Sequence, residues 1–314
     1  MTSVSCHACL ILSFVVVVSL AGCAGDSPAI SKGPLATRID RLHDQGRRWL
    51  GEGQVDRAKQ AFGQSRQMAE GLDDVRRLIG AVNGLGSVAM AEGAVEQAVS
   101  LHRQALAIAE QLGEPPVVLD TLGYLGTALH RLGRRDEAAR LYERGLLLAS
   151  QVQDRRADAG LRNNLGLVMH EQGRLDEAEQ AFRHALEINR LINQVDAEAA
   201  NHVNLGLMYE RRQQWMDAHR EFEQALELDK RHEQPAAIAA DLSRLARLAA
   251  KQGRMEQAMV YAERAARSYR AQGDLVRARA ELQRAVEFAK ARHASEEVRR
   301  LDMELHALNG QSTQ

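Results

Sequence analysis

The chain has 314 residues, of which 45% are hydrophobic and 26% charged, so it is long enough to bury one large core or a series of small ones. Its 41 basic and 42 acidic residues give a formal charge of −1, and this balance argues against the basic surface that nucleic-acid binding usually requires. Aromatic residues make up only 4% of the chain, which disfavours strand-rich folds and predicts an all-helical protein.

The N-terminal segment has the features of a targeting signal. Residues 1–25 contain no Asp, Glu, Lys or Arg, and residues 10–20 form a compact apolar run. This run suits a signal peptide and is shorter than the roughly 20 apolar residues that a spanning helix needs. It ends in Leu20-Ala21-Gly22-Cys23, which resembles the lipobox of bacterial lipoproteins. The resemblance implies that residues 1–22 are a signal peptide and that Cys23 is the lipidated first residue of the mature chain. An uncleaved membrane helix is the alternative, and the absence of Lys or Arg before the run departs from the lipoprotein pattern.

The residues around the lipobox predict where the protein resides. In Gram-negative lipoproteins an aspartate after the acylated cysteine commonly favours the inner membrane, and Ala24 stands there instead. The resemblance therefore implies an outer-membrane lipoprotein that faces the periplasm. All three cysteines, Cys6, Cys9 and Cys23, lie in this segment, so cleavage would leave no pair for a disulfide, and the C-x-x-C spacing of the first two is not interpreted as a metal or redox site. Residues 23–34 are predicted to be a flexible tether.

A short phrase returns every 40 residues in the rest of the chain. It is first seen as Glu52-Gly53-Gln54-Val55-Asp56-Arg57-Ala58 and recurs at residues 92–98, 132–138, 172–178, 212–218 and 252–258. Glycine suits the left-handed residue that ends one helix, and an acidic residue three positions later, most clearly Asp136 and Asp176, is predicted to cap the next helix. The phrase therefore predicts pairs of helices joined by tight corners.

Three further positions recur with the phrase. A small residue lies in the first helix, at Gly46, Gly86, Gly126, Gly166, Gly206 and Ala246. An alanine lies in the second helix, at Ala58, Ala98, Ala138, Ala178, Ala218 and Ala258. A larger residue, expected to fill the next repeat, usually follows four positions later, at Phe62, His102, Tyr142, Phe182, Phe222 and Ala262.

This arrangement resembles the tetratricopeptide repeat (TPR), with the long 40-residue form of kinesin light chain in place of the usual 34 residues. The resemblance implies an all-α, TPR-type α-solenoid, a right-handed superhelix of antiparallel helix pairs. The six repeats are predicted at residues 35–73, 74–113, 114–153, 154–193, 194–233 and 234–273. A degenerate seventh pair at residues 274–308 is predicted to cap the array, and residues 309–314 to form a disordered tail.

The resemblance also implies that the first helix of each pair lines a concave groove that holds a peptide or a partner's helix. Asn164 and Asn204 occupy equivalent positions there, and comparable asparagines form a ladder in O-linked N-acetylglucosamine transferase, so these two are the leading predicted contacts. Simple helix packing or exposure to water is the alternative. Further candidates, for acidic or carboxylate ligands, are Arg131, Arg211, Arg244, Arg247 and Lys251, with an ordinary solvated face as the alternative.

His130 and His170 are also at equivalent positions and are predicted to be partner contacts. No third His, Cys or carboxylate clearly converges on them, so no metal is predicted, and no cofactor either. Neither H-E-x-x-H, G-x-S-x-G nor a phosphate loop is present. The sequence therefore predicts a non-catalytic scaffold that recruits or stabilises cell-envelope proteins. A ligand- or peptide-sensing regulator is the alternative, and an enzyme is the least favoured interpretation.

Overall fold

The computed structural model describes residues 33–310. The predicted signal peptide, Cys23, nearly all of the tether and residues 311–314 lie outside the described residues. The described part is built of fourteen helices: α1 (Pro34–Gly51), α2 (Val55–Gly71), α3 (Val75–Ala91), α4 (Val95–Leu112), α5 (Pro115–Arg131), α6 (Arg135–Val152), α7 (Arg155–Glu171), α8 (Leu175–Leu191), α9 (Val195–Arg211), α10 (Trp215–Arg231), α11 (Pro235–Lys251), α12 (Met255–Ala271), α13 (Leu275–Ala291) and α14 (Ser295–Gly310).

The helices pack in chain order. Each helix contacts the one before it and the one after it, and the odd-numbered helices, here called the first helices, also contact one another from α1 through α9. Six helix pairs and a seventh terminal pair follow one another, which confirms the predicted α-solenoid. The last helix runs to Gly310, so it extends into the predicted tail. Within residues 33–310 no helix is both long and apolar enough to cross a bilayer.

The turns repeat twice as often as the sequence phrase suggested. A residue with left-handed backbone stands every 20 residues from 53 to 293, both within and between helix pairs. Seven of these residues are glycine, with φ from 70° to 82°, and the rest, with φ from 51° to 60°, are Asp73, Gln153, Asn193, Gln213, Glu233 and His293. At most turns the next amide donates back to a carbonyl five residues earlier, as in Gln54 to Trp49 at 2.8 Å. This bond satisfies a carbonyl at the helix end and stabilises non-glycine residues in the same conformation.

The predicted caps at Asp136 and Asp176 are wrong. Both residues lie in the first turn of their helices, after the N-cap residue. There the positive end of the helix dipole stabilises their carboxylates, but their side chains form no capping hydrogen bond. Side-chain caps are formed instead at the turns between pairs, where an aspartate accepts from the backbone amide three residues on. The capping residues are Asp74, Asp154 and Asp274.

The core is built around the large residue of the second helix. In several repeats this is a fully buried aromatic ring, at Phe62, Tyr142, Phe182 and Phe222. The ring packs on the small residue of its own pair: a Cβ atom on Gly126 would lie 2.3 Å from Tyr142 Cε1, and one on Gly166 would lie 2.7 Å from Phe182 Cε1. The ring was predicted to fill the next repeat. Phe62 does this as well, because it also packs closely on Gly84 in the first helix of the second repeat. The small residue therefore provides the space in which each pair closes.

Candidate functional site on the first helices

The first helices of all the repeats together form the surface called here the groove. Two cavities open along its part in repeats one to four. One measures about 590 Å³ and the other about 520 Å³, and they share Ser87, Asp120 and Tyr124. The first, here called the Tyr124 cavity, is walled by apolar residues that include Leu119 and Leu161. The groove thus has a continuous recess over its N-terminal half, with polar groups at its centre.

A stacked pair of rings forms part of the wall of the Tyr124 cavity. Tyr124 is 44% exposed, and its ring lies parallel to that of His102, with centroids 5.5 Å apart. His102 is fully buried, and its Nδ1 donates to Asn83 Oδ1 at 3.0 Å because the Asn83 amide nitrogen is used on Thr121. Burial lowers the pKa of His102 to about 4. The imidazole is therefore neutral at physiological pH and holds Tyr124 in place as a rigid, uncharged support.

Three charged side chains around this cavity have no partner. Asp120, Arg131 and Arg156 line the cavity, and none of them makes a hydrogen bond or ion pair within residues 33–310. Desolvation by the groove walls raises the pKa of the Asp120 carboxyl, the charge of Asp154 adds to this effect, and Arg156 opposes it. The cavity therefore presents hydrogen-bonding groups that the fold itself does not use.

Three other predicted groove residues, His130, Arg211 and Lys251, link neighbouring repeats. His130 Nε2 lies 3.1 Å from Glu171 Oε1, and Lys251 Nζ donates to Glu210 Oε1 at 2.6 Å. Arg211 donates to the backbone carbonyl of His170. Each link joins consecutive first helices at a separation of 41 residues, so these side chains stabilise the stacking of the repeats.

Arg131 is the exception among the basic residues at this position. The residue 41 positions before it is Met90, and Arg131 bonds neither the backbone carbonyl of Met90 nor a carboxylate within residues 33–310. The guanidinium of Arg131 therefore stays available in the lining of the Tyr124 cavity.

The ring of His170 is partly buried beside Arg211. Burial lowers the pKa of His170, and the nearby charge of Arg211 adds to this effect. Over the described range, no group of three or more His, Cys, Asp or Glu side chains is arranged to hold a metal ion.

The predicted contacts Asn164 and Asn204 belong to a hydrogen-bond network that was not predicted from the sequence. Asn163 Oδ1 accepts from Asn201 Nδ2 at 2.9 Å and from Asn204 Nδ2 at 2.7 Å, and Asn163 Nδ2 donates to Asn164 Oδ1 at 3.3 Å. Asn189 Nδ2 extends the network to Asn201 Oδ1 at 2.7 Å. The donor of Asn204 is thus used internally, whereas Asn164 lines the Tyr124 cavity with its amide nitrogen available. Asparagines at residues 163, 201 and 204 were the signal that could have revealed the network.

The C-terminal half of the groove contains buried charge. Arg244 Nη1 donates to Asp241 Oδ1 at 2.6 Å, and Arg247 Nη1 donates to Ser243 Oγ at 3.2 Å, so both predicted contacts are bonded within the fold. Asp229 and Asp241 are buried and their carboxyl groups meet within hydrogen-bonding range. Desolvation raises the pKa of both, that of Asp241 to about 7. They line a cavity of about 420 Å³, here called the carboxylate cavity.

The stacked helix pairs define an α-solenoid with a groove along its first helices. Residues 77–151 and 157–231 match the family model of the tetratricopeptide repeat. The chain therefore carries tetratricopeptide repeats over these residues, and the same 40-residue period continues on either side of them.

Solved structures share this fold. BtubC (BKLC) from P. vanneervenii is 24% identical, with 75% of this chain and 92% of that chain covered and a TM-score of 0.59. Kinesin-light-chain TPR-like repeats from Podosopora anserina are 20% identical, with coverages of 63% and 97% and a TM-score of 0.51. A Rap protein in complex with Competence and Sporulation Factor is 13% identical, with coverages of 87% and 75% and a TM-score of 0.64. No curated protein matches the chain. At these identities the structures establish the fold alone.

Proposed function

We propose that the protein is a non-catalytic, membrane-anchored scaffold that holds a cell-envelope protein or peptide in the groove of its first helices. The tetratricopeptide repeat is a protein-interaction scaffold. The observation that carries the proposal is the Tyr124 cavity, where Asp120, Arg131 and Arg156 make no hydrogen bond or ion pair within residues 33–310, although side chains equivalent to Arg131 link the repeats elsewhere. A bound chain would supply the missing donors and acceptors and cover the exposed Tyr124 ring.

The lipid anchor is the second part of the proposal. Leu20-Ala21-Gly22-Cys23 supports acylation at Cys23, and Ala24 supports an outer-membrane position facing the periplasm. Several acyl chains anchor a protein stably because each buried CH₂ contributes about 0.8 kcal/mol. Confinement of scaffold and partner to one surface raises their effective concentration, so a groove contact of modest affinity suffices.

In-cell crosslinking with affinity capture and mass spectrometry tests the scaffold. The variant Arg131→Gln/Arg156→Gln removes two charges from the Tyr124 cavity. Arg140→Gln/Arg155→Gln is the matched control, since it removes the same charge from exposed, unpaired side chains in the same two repeats outside the cavity.

We expect one defined set of envelope proteins to be captured by the native protein and the control and lost from the cavity variant. Equal capture by all three proteins would contradict a partner site in this cavity. Empty capture from all three would favour the ligand-sensing alternative, which the fold likeness to the Rap complex supports.

A further inference from the structure

Asp229 and Asp241 occupy the positions that Asn189 and Asn201 occupy one repeat earlier. In the earlier repeat an amide nitrogen meets an amide oxygen at 2.7 Å, so the buried pair is complementary. In the later repeat two carboxyl groups meet, and ionised carboxylates offer acceptors only. The chain thus replaces a satisfied pair with one that lacks a donor.

The surroundings supply only part of what is missing. Arg244 Nη1 donates to one oxygen of Asp241, and the other oxygen, Oδ2, is buried without a partner within residues 33–310. The asparagine that serves the earlier repeat, Asn163, is replaced here by Val203, which has no polar group.

The charges that face the pair do not cancel. They are those of Asp196 on α9, Arg244 on α11 and His232 in the turn between α10 and α11. With three carboxylates and one guanidinium ionised, the carboxylate cavity carries a net charge of −2, and burial makes that charge costly.

The geometry points to a recognition site for a primary ammonium group in the carboxylate cavity, and we propose that a proton shared by Asp229 and Asp241 takes its place when the cavity is empty. An ammonium has three N–H donors. The cavity is lined by three side chains whose acceptor oxygens are not fully used within residues 33–310: Asp229, Asp241 through Oδ2, and Asn204 through Oδ1, since its amide nitrogen is used on Asn163. This inference rests on the proposed function, since the ammonium would belong to a lysine side chain or the amino terminus of a partner held in the groove.

The cavity also has space for the rest of such a ligand. Its walls include four alanines, so an aliphatic stem can enter between α9 and α11: Ala199, Ala200, Ala237 and Ala240. The ammonium of a lysine stays protonated at neutral pH, whereas the carboxyl pair must release its proton to accept it. Because the pKa of Asp241 lies at about 7, the affinity for a lysine amine should rise about tenfold from pH 6 to pH 8.

Ligand-observed NMR titration of the full-length protein in detergent tests the site. The probes are Nα-acetyl-lysine amide for a lysine side chain and alaninamide for an amino terminus, with the Nε-acetylated lysine derivative as the uncharged control. The variant Asp229→Asn/Asp241→Asn recreates the pair found one repeat earlier, so it is expected to fold. Asp217→Asn removes a charge from the same helix outside the cavity and is the control variant.

We expect at least one amine probe to bind the native protein and Asp217→Asn and to lose at least tenfold in affinity for the double variant. From pH 6 to pH 8 the affinity should rise about tenfold for the lysine probe and about fivefold for alaninamide, whose own amino group has a pKa of about 8. Absence of amine binding at pH 8, or equal binding by the double variant, would overturn the site. Binding with no pH dependence would overturn the shared proton.

The titration uses no partner protein, so its result is separate from that of the capture experiment. Amine binding together with groove-independent capture would contradict the proposed function alone. Captured partners that depend on the groove, with no amine binding, would contradict the ammonium site alone.

Discussion

His102 is predicted to make the stability of the fold depend on pH. Its ordinary pKa of 6.5 applies to the unfolded chain, whereas burial lowers the pKa to about 4 in the folded protein. Protons therefore bind the unfolded chain more tightly. Stability is complete above about pH 6.5 and is lost as the pH falls toward 4.

The magnitude follows from the two pKa values. A difference of about 2.5 units corresponds to about 3 kcal/mol when titration is complete, and about 2 kcal/mol is lost by pH 5. The variant His102→Phe removes this titration and keeps a ring at the position that Phe62, Phe182 and Phe222 occupy in other repeats. The variant also loses the hydrogen bond from His102 to Asn83, which changes the free energy of unfolding by an amount independent of pH. Only the dependence of this free energy on pH therefore reports on the titration of the imidazole.

Urea unfolding followed by circular dichroism at pH 7, 6 and 5 measures the effect. The free energy of unfolding of the native protein should fall by about 2 kcal/mol more than that of His102→Phe between pH 7 and pH 5. His184→Ala, on the exposed face of α8, is the control and should fall in parallel with the native protein. Parallel curves for the native protein and His102→Phe would refute the reasoning.

Two further predictions concern packing and anchoring. Gly166→Leu should lower the free energy of unfolding by about 1–3 kcal/mol because its Cβ would press on Phe182. Gly160→Leu in the same helix should not, because the added Cβ meets nothing within 4 Å. Equal melting curves for the two variants would contradict the packing. Cys23→Ser should abolish incorporation of radiolabelled palmitate, whereas labelling of the variant would contradict acylation at Cys23.

The sequence predicted the fold because the repeat is a local property. Corner residues at a fixed period and small residues at helical spacing determine where each helix ends and which face it buries. The turns between repeats were harder to predict, because residues such as Gln153 and Glu233 adopt the left-handed conformation without the glycine that marks it elsewhere. Hydrogen bonds at the helix ends offset the cost, and these are not visible in residue type.

The site was predicted less completely because it depends on contacts between repeats. Arg131 and Arg211 hold equivalent places in the sequence, yet only Arg211 bonds to the first helix of the preceding repeat, and this contact depends on how the repeats stack. The role of Asn163 depends in the same way on which amides lie within reach across two helices. The buried pair of Asp229 and Asp241 was missed because nothing in the sequence alone shows that two acidic residues twelve positions apart meet across a turn.

Site-specific photocrosslinking in cells tests the central claim most directly. p-Benzoyl-L-phenylalanine would replace Tyr124 in the groove or, as the control, Leu147 on the exposed face of α6, which is 70% exposed. The proposed function predicts a discrete crosslinked envelope protein from position 124 and none from position 147. The same partner crosslinked at 147 but absent at 124 would contradict binding in the groove.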